Sequence, residues 1–184
     1  DRSLLTCMDI VEKVYNKLPE NLKPKLKFEW RYGFRVWDYE FSDNQKMLDW
    51  KAKAVDKMKK LQALGIMESG DGDMISQDKI ADKYLESGIM LYPSEFAEIG
   101  FISGTKSILA GCIPFTTSCF AQGEFLKDGV IVKSNTNYSN WRRDLLDCYD
   151  YGVRGEKEID EFVDKIVEYF KNPEKYKDMR NKLI

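Results

Sequence analysis

The residues best placed to do chemistry lie in one stretch, Tyr92-Pro93-Ser94-Glu95-Phe96-Ala97-Glu98-Ile99-Gly100-Phe101-Ile102-Ser103-Gly104-Thr105-Lys106. There an apolar run ends, a carboxylate sits in the turn, and small residues lead into a helical pattern. Main-chain N–H groups at a helix start make an anion site, and Gly100 lets a ligand approach the backbone closely. A carboxylate beside such a site repels phosphate, so it should face an uncharged, hydroxyl-bearing part of the ligand. Phosphate joined to a polyol describes a nucleotide-sugar. The same residues also fit a plainer role, because Glu95 and Glu98 suit the positive end of a helix without any ligand.

Composition excludes several other chemistries. The 184 residues contain no histidine, which removes Ser-His-Asp and Cys-His catalysis, His-ligated zinc and a His proton shuttle. Four cysteines, Cys7, Cys112, Cys119 and Cys148, form no C-x-x-C pair and read as buried thiols in a reducing, cytoplasmic compartment. Lys plus Arg number 29 against 31 Asp plus Glu, and this balance argues against a nucleic-acid partner held by phosphate neutralisation. The loop Glu68-Ser69-Gly70-Asp71-Gly72-Asp73 lacks the full spacing of a calcium loop and reads as a turn. No apolar run approaches the roughly 18 residues needed to cross a bilayer.

The elements that must position the central stretch follow from periodicity. Leu4, Met8, Val11, Tyr15 and Leu18 fall on one helical face that stops before Pro19. The alternation from Leu26 to Gly33 predicts a strand. A long helix from Asp43 or Asn44 to about Leu64 carries Met47, Trp50, Ala54, Met58 and Leu61 on one side. Its lysines, Lys51, Lys53, Lys57 and Lys60, form a solvated face or, together with the tail Lys171 to Lys182, a peripheral membrane contact. Ser76 caps a helix to about Leu85 with Ile80, Ala81 and Tyr84 inward. Ile89 to Tyr92 reads as a strand covered on both faces, followed by a helix from Phe101 to Ala110 that closes at Gly111.

Ile113 to Thr117 and Val130 to Val132 read as further strands, and Ser134 to Tyr151 shows no clear period. Two helices end the chain, one carrying Ile159, Phe162, Val163, Ile166 and Phe170, the other Tyr176, Met179 and Leu183, broken at Asn172-Pro173. Such alternation implies a single α/β domain over residues 1–184, a Rossmann-like parallel sheet flanked by helices. The chain starts at Asp1 and enters a helical pattern almost at once. It is therefore expected to be a piece of a longer protein, lacking the strand that precedes its first helix. Ligands of such sheets sit at the carboxyl ends of strands, here after Tyr32, Met67, Tyr92 and Thr117.

The run with Pro93-Ser94, Glu98, Gly100-Phe101 and Ala110-Gly111-Cys112-Ile113-Pro114 resembles the C-terminal domain of GT-B glycosyltransferases, nearest the retaining family 4. The likeness covers most of the chain, although only this run is distinctive. It implies a donor-binding domain of a hexosyltransferase, which moves a sugar from a nucleoside-diphosphate sugar to an acceptor hydroxyl. It also implies a missing N-terminal GT-B domain that bears most of the acceptor site and packs on the helices of 156–184, so this piece alone should not turn over. No cofactor or metal is implied.

Residue by residue, Glu98 matches the glutamate that lies by the donor sugar hydroxyls. Ile99, Gly100, Phe101 and Ile102 match the turn whose amides meet sugar and diphosphate. Arg2 resembles a diphosphate-binding basic residue, or is a free terminal arginine. Met74 and Ile75 fall where the family holds the base, and Trp37 either stacks on a ring or packs in the protein.

Lys106 departs from the pattern. The family places a second glutamate there to accept hydrogen bonds from the ribose, whereas an ammonium has donors only. Either the ribose is held differently, with Lys106 pairing with Glu98 or reaching a phosphate, or the domain is a non-catalytic binding or interaction module.

Overall fold

The computed structural model describes residues 3–30, 34, 42–67, 76–96, 98–134, 152–153 and 155–183. In chain order the elements are α1 (Leu4–Lys17), α2 (Gln45–Ala63), α3 (Gln77–Glu86), β1 (Ile89–Tyr92), α4 (Ile102–Leu109) and β2 (Ile113–Thr117). They continue with α5 (Phe120–Phe125), β3 (Val130–Val132), α6 (Glu156–Lys171) and α7 (Lys177–Leu183). The three strands form one parallel sheet in the order β1-β2-β3. Parallel neighbours require a crossover, and α4 and α5 supply one each. The protein is thus a mixed α/β chain with a small parallel sheet flanked by helices.

Local chemistry sets the helix ends. Asn44 Oδ1 accepts the Met47 N–H at 3.2 Å and caps α2. Both α2 and α4 end on glycines in the left-handed region, Gly65 at φ 68° and Gly111 at φ 83°. Beyond α4, the Gly111 N–H bonds Ile108 O and the Cys112 N–H bonds Ser107 O, so the last carbonyls are satisfied and the chain turns straight into β2. Pro173 opens a 3₁₀ turn over Pro173–Tyr176, because proline cannot continue α6.

The core forms where the apolar faces of α1, α2 and α6 meet β2 and β3. The helices of 156–184 thus bury Ile159, Phe162, Val163, Ile166 and Val167 in this chain's own core. Lys13 pairs with Glu156 at 2.6 Å and Asp160 at 3.0 Å, and Lys17 pairs with Asp164, which fixes how α1 lies along α6. Such exposed pairs add little energy each. No helix among the described residues is long and apolar enough to cross a membrane.

Four expectations need correction. The segment predicted as a strand from Leu26 makes one parallel bridge, Phe28 to Met67, within its described part; residues 31–33 lie outside the described residues. Alternation marks a chain that suits a sheet but supplies no partner. Ala81 is exposed, and Ile80 and Tyr84 are only half-buried, because α3 packs on the edge of the molecule. All of β1 is half-buried, since it is an edge strand facing a cleft. Finally, α5 falls where no helix was expected.

Burial pushes the Tyr176 hydroxyl up to about 12, and the Glu168 carboxylate adds to the rise. Unfolded tyrosine ionises near about 10, so the unfolded chain releases this proton first. Stability must therefore fall as pH rises from about 10 to about 12. Cys112, whose thiol burial also pushes up, acts in the same direction. Tyr176→Phe is expected to flatten the alkaline fall of the urea midpoint, measured against pH.

Candidate functional site

The site is built at the carboxyl end of β1. Alternation along this strand sends Ile89 and Leu91 toward the core, where they pack against it. Met90 and Tyr92 face the other way, toward α4: Met90 Sδ lies 3.0 Å from Ser107 Oγ, and the Tyr92 ring lies 4.4 Å from that of Phe101. Past Tyr92 the chain turns through Pro93 and Ser94. The Ser94 hydroxyl accepts the Phe96 N–H at 3.1 Å and tightens that turn.

Glu98 is the buried carboxylate of this turn, at 7% exposure. The Tyr92 hydroxyl donates to its Oε1 at 2.8 Å. Its main chain is held from both sides, the N–H by Phe96 O at 2.9 Å and the C=O by the Ala121 N–H at 3.1 Å. The turn itself rests on a buried polar set. Thr117 Oγ1 and Gln122 Nε2 both donate to Ser94 O, and Gln122 Nε2 also reaches Thr117 Oγ1 at 3.0 Å. Burying Gln122 is costly unless its amide is used; the use here is to lock the loop after β1 to the loop after β2.

Directly above, α4 begins with no side-chain cap and no acidic residue in its first turn. The first N–H groups of a helix have no partner within it, so this end can receive an anion. Ile99 and Ile102 stand 94% and 71% exposed beside it, an unusual exposure for isoleucine. Phe101, by contrast, is buried against Tyr92 and Gly104. A Cβ on Gly104 would lie 2.4 Å from the Phe101 ring. Gly104→Ala is therefore expected to cost about 1–3 kcal/mol despite alanine's better helix propensity. Urea melts should show this loss, with part of it recovered by adding Phe101→Leu.

Of the residues singled out in the sequence, the structure brings Glu98, Ile99, Gly100, Phe101 and Ile102 together. Arg2, Trp37, Met74 and Ile75 lie outside the described residues. Lys106 Nζ donates to Gln77 Oε1 on α3 at 2.8 Å and does not pair with Glu98. The sequence reading missed Tyr92 and Gln77, the partners of Glu98 and Lys106. It also missed Gln122, whose burial no local pattern signals. Phe120, at φ 40°, holds a left-handed backbone at the turn that places Ala121 on Glu98.

Glu98, Gly100, Phe101, Ile102, Ser103, Lys106 and Gln77 all line one end of a cleft of about 1250 Å³ that continues along β1. Among the described residues no group of His, Cys, Asp or Glu side chains is clustered to hold a metal. No family model, no curated protein and no solved structure matches the chain.

Proposed function

We propose that this chain binds a nucleoside-diphosphate sugar, as the donor-binding domain of a GT-B glycosyltransferase that transfers a hexose-type sugar to an acceptor hydroxyl. The observation that carries this reading is the pairing of Glu98 with the uncapped start of α4 at the carboxyl end of β1. A parallel sheet presents ligands there. The helix start suits the diphosphate, and Glu98 suits sugar hydroxyls, which donate to a carboxylate. Charge developing on the leaving diphosphate would be stabilised by the same N–H groups, an electrostatic role, with Arg2 as a further contributor. Buried free thiols at Cys7, Cys112 and Cys119 go with a reducing, cytoplasmic setting.

A second reading, a non-catalytic module of the same architecture, is favoured by one observation. The position where the resembled pattern has its second glutamate carries the Lys106 ammonium, which donates to Gln77. Peripheral membrane contact through α2 has less support, because Lys57 pairs with Asp9, Lys60 with Asp56, and Lys51 lies over the Phe34 ring. The two main readings part on ligand binding. A donor domain is stabilised by nucleotide-sugars through Glu98, and a purely structural module ignores them.

A further inference from the structure

The wall of the cleft that α3 forms is held differently from the rest. No residue of this 10-residue helix is buried: Ile80 and Tyr84 are half-buried, and Leu85 is 67% exposed. Helices in proteins draw most of their stability from packing an apolar face, and a free helix of this length is marginal in water. The stability of α3 must therefore come from a few identifiable ties.

Those ties are unequal at the two ends. The carboxyl end is anchored. Tyr84 O accepts the Ser87 N–H at 3.1 Å and the fully buried Cys112 thiol at 3.1 Å. The same thiol lies 3.3 Å from Ser87 O, and Gly88 O receives the Ile113 N–H, so this end is continuous with the sheet. The Ser103 side chain adds a hydrogen bond to the Tyr84 hydroxyl. Toward the amino end the ties are polar and near the surface. Ser76 Oγ accepts the Lys79 N–H at 3.4 Å, and Gln77 Oε1 accepts from Lys106 Nζ at 2.8 Å. Lys83 pairs with Glu86 at 3.0 Å and also reaches Glu29 at 3.2 Å, beside the Phe28–Met67 bridge. Ties of this kind are worth little each.

We infer that α3 is a gate on the cleft: Gln77 to Lys83 unwinds as a unit, hinged at the Tyr84 anchor, and the Lys83–Glu29 pair is its clasp. In the closed state Gln77, Ile80, Lys83 and Tyr84 line the cleft from α3, and Glu29 lines it from the Phe28 segment, so the pair spans it. Opening breaks the clasp, frees the Lys106 ammonium and uncovers the cleft along Gln77 and Ile80. Because Lys106 stands at the Glu98 end, the way to that end widens when the gate opens. The step is an order–disorder transition, since a helix this short does not persist once it leaves α4. The gate belongs to the fold and does not depend on which ligand the cleft takes.

The test is amide hydrogen exchange on the 184-residue chain, followed at low urea concentrations. Amides from Ile80 to Lys83 should exchange about 100-fold or more faster than those of β2. Their rates should barely respond to urea, because a local opening exposes little surface. The Ser87 amide, on the anchored side, should exchange more slowly than they do. Glu29→Gln and Lys83→Met should each speed the α3 amides about two- to fivefold, the range for one exposed ion pair. The double variant should do no more than Lys83→Met alone. Added salt should speed the wild type in the same sense and leave the double variant nearly unmoved. Lys79→Met, on the same helix but outside the clasp, should change nothing. Thermal melts check that every variant is folded. Ile80 to Lys83 amides as slow as those of β2, with the steep urea dependence of global unfolding, would overturn the gate. Fast exchange that the two clasp substitutions speed independently, or not at all, would overturn it as well. None of these readouts involves a nucleotide, so the result stands apart from the donor-binding reading.

Discussion

Phe115→Ala is expected to lower the unfolding free energy by about 3–5 kcal/mol, a large share of the whole stability of a domain this size. Phe115 is fully buried on the central strand of the sheet. Its ring meets Tyr169 edge-on at 6.2 Å and stacks on Tyr176 at 6.3 Å, so one side chain ties β2 to α6 and to the 3₁₀ turn after it. Truncation removes that apolar area and leaves a cavity between rings that are themselves fixed by mutual contact. The urea midpoint should fall steeply with little change in slope. Leu109→Ala is the control: this side chain is 72% exposed, and its loss should move stability by less than about 0.5 kcal/mol.

The second large effect concerns Glu98. If its carboxylate accepts hydrogen bonds from donor-sugar hydroxyls, Glu98→Gln should weaken nucleotide-sugar binding by about 10- to 100-fold, the worth of roughly one charged hydrogen bond. Glutamine keeps the shape and can still accept the Tyr92 hydroxyl, so folding should change little. Glu98→Ala should abolish detectable binding, but it also strands the Tyr92 hydroxyl, at about 1–3 kcal/mol. The informative quantity is therefore the ligand-induced gain in stability, each variant compared with itself. Isothermal titration with the stabilising nucleotide-sugar gives the same ratio directly.

Much of the helical framework was legible in the sequence. The stripe from Leu4 to Leu18, the helix start at Asp43 or Asn44, the Ser76 cap and the break at Asn172-Pro173 are local signals, and local signals survive folding. The strands were read less well, because a strand is defined by its partner. Leu26 to Gly33 alternates cleanly yet makes a single bridge in its described part, at Phe28. The apolar run Ile89 to Tyr92 suggested burial on both faces, but its neighbour on one side is a cleft.

Within the site, Glu98 and the start of α4 could be picked out from turn chemistry. Tyr92 as the partner of Glu98 could not, since the pair meets only across the Pro93–Ser94 turn. Nor could the buried Gln122 amide, which a short helix carries under the loop after β1. That helix, α5, hid itself by composition. Gly123 is a poor helix former, kept here because a Cβ would stand 2.6 Å from Ser118 O.

The measurement that tests the central claim most directly is a thermal-shift screen of the chain against UDP, GDP, ADP and CMP and their sugar conjugates, with Glu98→Gln alongside. A ligand that prefers the native state stabilises it by mass action, by about 2.7 kcal/mol at a hundred times its dissociation constant. The account predicts that one nucleotide-sugar family raises the melting temperature and that the rise shrinks in Glu98→Gln. No shift with any sugar conjugate at millimolar concentration, or a shift that Glu98→Gln leaves intact, would contradict it.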